Sequence, residues 1–240
     1  MGVKILQVRS AIDQARAELN RRGLSHIPVR SWWQPVLRKL GIGRAVQVGD
    51  HLKSWDVLKT ASFIEQRISK DSAILDLGAY ASEILCILHR LGYSRLSGVD
   101  LNPDVKMMPY ARAIRYEVSD FMHTPFDNES FAVITAISVI EHGFNGQALL
   151  AEVSRLLRPG GYFIASFDYW PQKLDTTSVR FFGMDWKIFS EQEVLAFIDD
   201  AREYNLTPWG EVNLKADEKT INYAEMSYTF AWLTLSKGKA

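Results

Sequence analysis

Four short segments in the middle of the chain carry the residue types that do chemistry. They read Asp76-Leu77-Gly78-Ala79-Tyr80-Ala81-Ser82, Asp100-Leu101-Asn102-Pro103, Ser119-Asp120-Phe121 and Ile137-Ser138-Val139-Ile140-Glu141-His142. Each stands at the end of a short run that reads as a strand of a largely apolar sheet. A carboxylate in that position is partly desolvated, which is costly unless something donates hydrogen bonds to it. Three such acids in succession, Asp76, Asp100 and Asp120, therefore call for a ligand rich in donors. An ammonium, a ribose diol and an adenine amine would meet them.

The elements that must present these tips follow from the pattern. Ala73–Leu77 is a short apolar run closed by Gly78, which reads as a buried strand. Leu96–Val99 is a second strand ending at Asp100, and Ala113–Val118 a third, followed by Asp120. Phe131–Ile137 is a fourth, strongly β-branched, and Tyr162–Phe167 a fifth. Helices lie between them: Ser82–Leu91, with Gly92 as its cap, and Gln147–Leu157, stopped by Arg158-Pro159-Gly160-Gly161. Strands separated by helices imply a parallel sheet with right-handed crossovers. In such open sheets ligands bind outside the carboxyl ends of the strands, where all four segments fall. Further on, Ser190-Glu191-Gln192-Glu193 is a capping box that opens a helix to Tyr204. Ser227–Ser236 alternates as a final strand. Upstream, Ser54–Ser69 reads as a helix. Ile5, Val8, Ile12, Ala15 and Leu19 repeat at helical spacing, with Gly23 placed to end that helix. Ser31-Trp32-Trp33-Gln34-Pro35 is an aromatic connector.

Composition excludes several classes. The chain has 240 residues, 47% hydrophobic and 23% charged, with zero formal net charge. At about 150 residues per domain, that is one large domain or one domain with an appendage. A disordered chain, a collagen and a disulfide scaffold are excluded. A neutral molecule has no general attraction for nucleic acid. Cys86 is the only cysteine, so neither an internal disulfide nor a Cys-based zinc cluster can form. A reducing, cytoplasmic compartment is the expectation. The histidines show no HExxH or other paired-ligand pattern, so no metal site is expected. The apolar runs fall well short of the roughly 18 residues that cross a bilayer. The N-terminus lacks the apolar core of a signal peptide. G-x-G-x-x-G fails at Tyr80 and Glu83 and GxxxxGK[ST] is absent, against a nicotinamide enzyme and a P-loop. Charge is uneven, however: residues 1–44 hold nine Lys or Arg against Asp13 and Glu18. Such a segment suits peripheral contact with an anionic membrane surface, with Trp32 and Trp33 at the interface. The plainer reading is a solvated helix face. Its apolar stripe can pack on the body of the protein or on a second copy, as a homodimer.

The order and spacing of the motifs resemble the class I S-adenosylmethionine-dependent methyltransferases over about residues 70–170. Ile74-Leu75-Asp76-Leu77-Gly78 looks like that family's first motif and Val99-Asp100 like the acidic end of its second strand. Asp120, Pro125-Phe126-Asp127 and Ser130-Phe131 look like its adenine-side loop. Val139-Ile140-Glu141-His142 with Arg155-Leu156-Leu157-Arg158-Pro159-Gly160-Gly161 is similar to the type 11 branch. The resemblance implies an α/β, Rossmann-like doubly wound sheet of order 3-2-1-4-5-7-6, its last strand antiparallel, and S-adenosylmethionine as cofactor. It implies that Asp76 faces the methionine amino group and that Gly78 and Ala79 let the backbone approach. Asp100 would take both ribose hydroxyls, a bidentate geometry suited to a carboxylate. Leu101 would lie on the adenine face, Asp120 would accept from the adenine amine with Phe121 beside the ring, and Ile137 and Ser138 would line the sulfonium end. The family usually has glycines where Tyr80 and Ser82 stand. Either these two reshape the loop and contact the cofactor, or the Tyr80 ring closes the pocket.

The expected reaction is methyl transfer to a small molecule or glycan, at oxygen. An oxygen acceptor carries a proton, so a base is needed. His142 is the first candidate, its ordinary pKa lying at about 6.5. Asp168 and Tyr169, at the end of the fifth strand, are the second candidates. The alternative roles are a helix cap or loop contact for His142 and a turn for Asp168. Residues 168–189 include Tyr169, Trp170, Phe181, Phe182, Trp186 and Phe189, which suits an aromatic lid over the acceptor. The same residues would also serve as a patch packed on the N-terminal helices. The expected organisation is an N-terminal helical extension, 1–53, and a cofactor-binding domain, 54–240. The rival function is a non-catalytic S-adenosylmethionine-binding regulator or interaction protein.

Overall fold

The computed structural model describes residues 2–27 and 46–239. The connector with Trp32 and Trp33 lies outside the described residues. Buried β-branched and leucine-rich runs form the middle of one sheet. Its parallel strands are β2 (Ala73–Leu77), β3 (Arg95–Asp100), β4 (Ile114–Val118), β5 (Phe131–Ile137) and β6 (Leu157–Tyr169). The long β11 (Met226–Lys237) runs antiparallel to β6. The order β11-β6-β5-β2-β3-β4 is the one the resemblance implied.

Helices cover both faces. α1 (Ser10–Arg21), α2 (Ser54–Arg67) and α3 (Ile84–Arg90) pack on one face, around Leu19, Ile64, Ile74, Leu88 and Trp232. α4 (Gly146–Leu156) and α5 (Glu191–Glu203) pack on the other, around Leu150, Phe163, Phe197 and Leu233. The expected capping box at Ser190 and Glu193 is made in full and opens α5.

The N-terminus departs from expectation. The predicted helix through Ile5 and Val8 starts only at Ser10. Val3–Ile5 is instead a strand, β1, paired antiparallel with Ala231–Leu233 of β11. Val8 is 48% exposed, so it carries no stripe. The 1–53 extension is thus not purely helical, and its first strand belongs to the main sheet. The same edge of β11 also pairs with the short β9 (Leu206–Pro208), through Leu235–Lys237; β10 (Ile221–Tyr223) pairs antiparallel with the start of β11, and β7 (Arg180–Phe181) and β8 (Met184–Asp185) pair with each other. The helical spacing that starts at Ile5 and the edge strand Val3–Ile5 share that residue, and three residues are too few for alternation to reveal the strand. A second difference lies at β6, where pairing starts at Leu157, before the Pro-Gly-Gly stop. The register shifts between Phe131 and Val133, a bulge that absorbs the extra residues. Among the described residues no helix is long and apolar enough to cross a membrane.

Candidate functional site

The carboxyl ends of β2, β3 and β5 bring the first set of residues together. Asp76 is wholly buried in β2. Thr135 Oγ1 donates to its Oδ1 at 2.6 Å, while Oδ2 has no partner. Burial drives its pKa up to about 7; the Thr135 hydroxyl and the nearby Ser82 hydroxyl, which stops short of a full hydrogen bond, oppose the rise, and the Asp100 charge adds to it. The chain then turns at Gly78, φ +71°, where an added Cβ would lie 2.4 Å from Val139 Cγ2. A side chain there is excluded twice, by the left-handed backbone and by the packing. Gly78 and Ala79 both donate to the Val99 carbonyl at 2.9 Å. Tyr80 donates its N–H to Asp100 Oδ2 at 3.0 Å, and Asn102 N–H reaches Asp100 Oδ1 at 2.8 Å. Asp100 is thereby held across the mouth of the first turn. The Tyr80 side chain is half-buried and packs into the apolar layer beneath α3. Ala81 takes a left-handed backbone, φ +60°.

The other expected residues lie around this turn at different depths. Leu101 is 58% exposed. Asp120 is exposed at the end of β4 and accepts from Met122 N–H at 2.9 Å, while Phe121 packs on the core. Ser119 N–H donates to the Asp100 carbonyl at 3.0 Å and ties the two strand ends together. Ile137 is half-buried at the end of β5. Ser138 follows with φ +54°, a strained position for a non-glycine residue. Its N–H donates to the Ser166 carbonyl at 2.9 Å.

A second polar group sits beyond Ser138. Lys53, at the end of a 3₁₀ turn (His51–Lys53) that leads into α2, donates from Nζ to Ser138 Oγ. Its ammonium lies 3.9 Å from Asp168 Oδ1 and 3.9 Å from the centre of the Phe230 ring. Burial pulls the Lys53 pKa down, but Asp168, Glu141, Asp56 and Asp50 together carry it above its ordinary value. Asp168 is almost fully buried. Trp186 Nε1 donates to its Oδ2 at 2.8 Å. Burial raises the Asp168 pKa against the pull of Lys53 and the indole. Glu141 is buried with Oε2 unpartnered, and burial followed by the Asp168 charge pushes it up to about 8. Asp56 accepts from Ser166 Oγ at 2.7 Å and is pushed up to about 6, chiefly by burial.

His142 stands on the rim of this group. Burial and then Lys53 push its pKa down to about 4, so its ring is neutral at neutral pH. Its Nδ1 is buried without a partner, and Phe181 and Phe182 meet the ring edge-on. The 168–189 segment crosses directly over these strand ends. Gly143 N–H donates to Asp185 O at 2.9 Å, Lys187 N–H to Glu141 O at 2.8 Å and Phe189 N–H to Asp168 O at 2.9 Å. Tyr169, Trp186 and Phe189 are buried, and Phe182 is 86% exposed. Trp186 packs with Leu6, Ile12, Tyr228 and Phe230, so much of the aromatic content serves packing against the N-terminal elements.

Sequence reasoning missed Lys53, Asp56, Thr135 and Ser166. Thr135 did leave a signal: it is the one hydroxyl in the otherwise apolar run Phe-Ala-Val-Ile-Thr-Ala-Ile. Lys53 left none, because a lysine ahead of a helix reads as solvated.

The comparisons agree with this layout. Residues 75–165 match the family model described as a methyltransferase domain. A curated relative, the phthiotriol/phenolphthiotriol dimycocerosates methyltransferase of Mycobacterium leprae, is 33% identical over 124 residues. That match spans 50% of this chain and 44% of the relative, so the two share less than half of the relative's length. Among solved structures, the geranyl diphosphate C-methyltransferase of Streptomyces coelicolor, in complex with S-adenosyl-L-homocysteine, is similar at a TM-score of 0.60 and 18% identity, covering 96% of this chain and 94% of that one. The [4+2]-cyclase SpnF is similar at 0.58 and 11% identity, covering 90% of this chain and all of the other, 100%.

Proposed function

From a chain that belongs, through its residues 75–165, to the class I S-adenosylmethionine-dependent methyltransferases, we propose that this protein methylates a small molecule or glycan at oxygen. The observation that carries the reading is the wholly buried Asp76, whose Oδ2 has no donor, beside the tight turn at Gly78. A buried acceptor left without a donor costs about 1–3 kcal/mol, which a ligand's ammonium would recover. The residues present fit the cofactor on that ground. Asp76 would hold its amino group, Asp100 its ribose hydroxyls, and Leu101, Asp120 and Phe121 its adenine. Gly78, Ala79, Tyr80 and Ser82 form the adjoining loop, and Ile137 and Ser138 line the reacting end. When bound, S-adenosylmethionine supplies a methyl group on a sulfonium, whose sulfur departs with the bonding pair.

The chain's own contribution is positioning, which is worth roughly 7–11 kcal/mol when reactants are well oriented. His142 takes the acceptor hydroxyl's proton as the carbon–oxygen bond forms. Its ring is neutral above about pH 4 and has a lone pair to accept with, although the burial and the Lys53 charge that keep it neutral also make it a weaker base than an ordinary imidazole. Asp168, fixed by Trp186 and Lys53, orients the acceptor. The 168–189 segment is the lid. The triol in the mycobacterial relative's name supports an oxygen acceptor. A second reading is a non-catalytic S-adenosylmethionine-binding protein, favoured by Tyr80 and Ser82 in place of glycines.

Titration calorimetry with S-adenosylhomocysteine, followed by a tritium-transfer assay on hydroxylated acceptors, separates the readings. Binding with turnover is expected, and binding without turnover on any acceptor supports the second reading. Absence of binding sinks both. Asp100→Ala should weaken binding about tenfold or more, the loss expected for a charge-assisted hydrogen bond. An unchanged affinity would show that the ribose lies elsewhere.

A further inference from the structure

The loop between β2 and α3 keeps one glycine of the three its family pattern calls for, and Ala81 must hold a left-handed backbone within it. Such a conformation is costly for a residue with a side chain and persists only where the surroundings over-determine it. Those surroundings come from the N-terminal segment. Arg16, on α1, donates from Nη1 and Nη2 to the two carboxylate oxygens of Glu83 at 3.0 and 2.9 Å. Glu83 directly follows Ser82. The pair is sealed, with side chains 7% and 1% exposed. Arg16 is itself fixed by Ser54 Oγ through Nε and by Ser25 Oγ through Nη1, each at 2.9 Å. His26 N–H adds a bond to Glu83 Oε1 at 2.6 Å, and Gly49 N–H donates to the Ala81 carbonyl at 2.9 Å. An added Cβ on Gly49 would lie 2.9 Å from Glu83 Oε2, so the chain passes as close as it can.

A buried ion pair returns little net stability, because desolvating both charges offsets their attraction. A bidentate guanidinium–carboxylate pair does impose one geometry. Glu83 is the last residue before α3, so whatever fixes it fixes the exit of the loop. Tyr80 in the same loop grips Asp100 through its N–H.

We propose that Arg16 is a positioning residue. Acting through Glu83, it shapes the 78–83 loop and thereby sets the affinity for a nucleoside-bearing cofactor. This rests on the cofactor reading above. Arg16 then shapes the cofactor site from behind the loop, through Glu83.

Affinity linkage is reciprocal, so a clamp that favours the binding-competent loop must itself be tightened by the ligand. The test is hydrogen–deuterium exchange on the full chain with and without S-adenosylhomocysteine, together with calorimetry on the unaltered chain, Arg16→Met and Arg16→Lys. The expected result is added protection over residues 10–27 as well as 78–83 when ligand is present. Arg16→Met should weaken binding about tenfold or more, with Arg16→Lys between, since one charged contact survives. Protection confined to 78–83, or an Arg16→Met chain that folds and binds with unchanged affinity, would overturn the inference while leaving the cofactor reading intact. If Arg16→Met does not fold, the exchange experiment on the unaltered chain decides alone. No binding by the unaltered chain overturns both.

Discussion

Asp76 ionises near neutrality because its carboxyl is wholly buried, and a ligand ammonium needs it ionised. With a pKa of about 7 in the free chain, the competent fraction is small at pH 6 and large at pH 8. The Kd for S-adenosylhomocysteine should therefore be about tenfold weaker at pH 6 than at pH 8. Asp76→Asn should bind weakly at both, with the pH slope gone, and calorimetry at the two pH values checks this. Glu141 gives a stability prediction with its own sign. Its folded pKa, about 8, lies above the ordinary 4.5, so the folded chain holds a proton that the unfolded chain has released. The stability this confers is whole below about pH 4.5 and is lost as pH rises through about 8. Glu141→Gln, which keeps the shape without the charge, should be more stable than the unaltered chain above pH 8 and little different below pH 5. Thermal melts would register each kcal/mol as about 2–4 °C; equal melts at pH 8.5 would refute it. At this scale Asp76 and Asp100 were readable as strand-tip acids, because an acid ending an apolar run has few explanations; Asp120 follows the mixed run Ala-Ile-Arg-Tyr-Glu-Val and stands exposed, not desolvated as expected. Lys53 and Asp56 were not, because a buried charge declares itself only through partners distant in sequence: Asp56 meets Ser166, and Lys53 meets Ser138.

Among the elements, β2 to β5 were legible almost to the residue, whereas β6 begins well ahead of the expected Tyr162. Fully buried strands leave continuous apolar runs with abrupt ends, and Ala73–Leu77 and Phe131–Ile137 fall where the pattern put them. Helix α5 was legible from its cap alone. Ser190 accepts from Glu193 N–H while Glu193 Oε2 receives Ser190 N–H at 2.8 Å. Ser190→Ala should cost about 1 kcal/mol of unfolding free energy, measurable by urea titration, and unchanged stability would mean the cap is redundant. The short strands β1 and β9 were illegible for the opposite reason. Three residues cannot show a period, and their pairing is dictated by the free edge of β11, which is far away in sequence.

For the whole molecule, the cofactor reading makes ligand binding and folding one equilibrium. S-adenosylhomocysteine at a hundred times its Kd should add about 2.7 kcal/mol to stability, raising the melting temperature by about 5–10 °C for a domain of this size. Scanning calorimetry across ligand concentrations checks the logarithmic dependence, and a flat response would count against binding. The domain-scale expectation of an appendage beside a core was the least legible part. The basic stretch reads as separate by charge, yet Val3 and Leu6 are fully buried in the body and Arg16 reaches Glu83. Charge counts describe what faces water; they do not reveal which residues of the same stretch turn inward.

The pairing of Val3–Ile5 with Ala231–Leu233 also dictates a schedule. During translation the first strand is made more than two hundred residues before its mate. Until then its backbone groups must stay hydrated or find a temporary host. The free margin of β6 can close only once β11 has emerged, so a nascent chain stalled before that point would present an open β6 margin to chaperones.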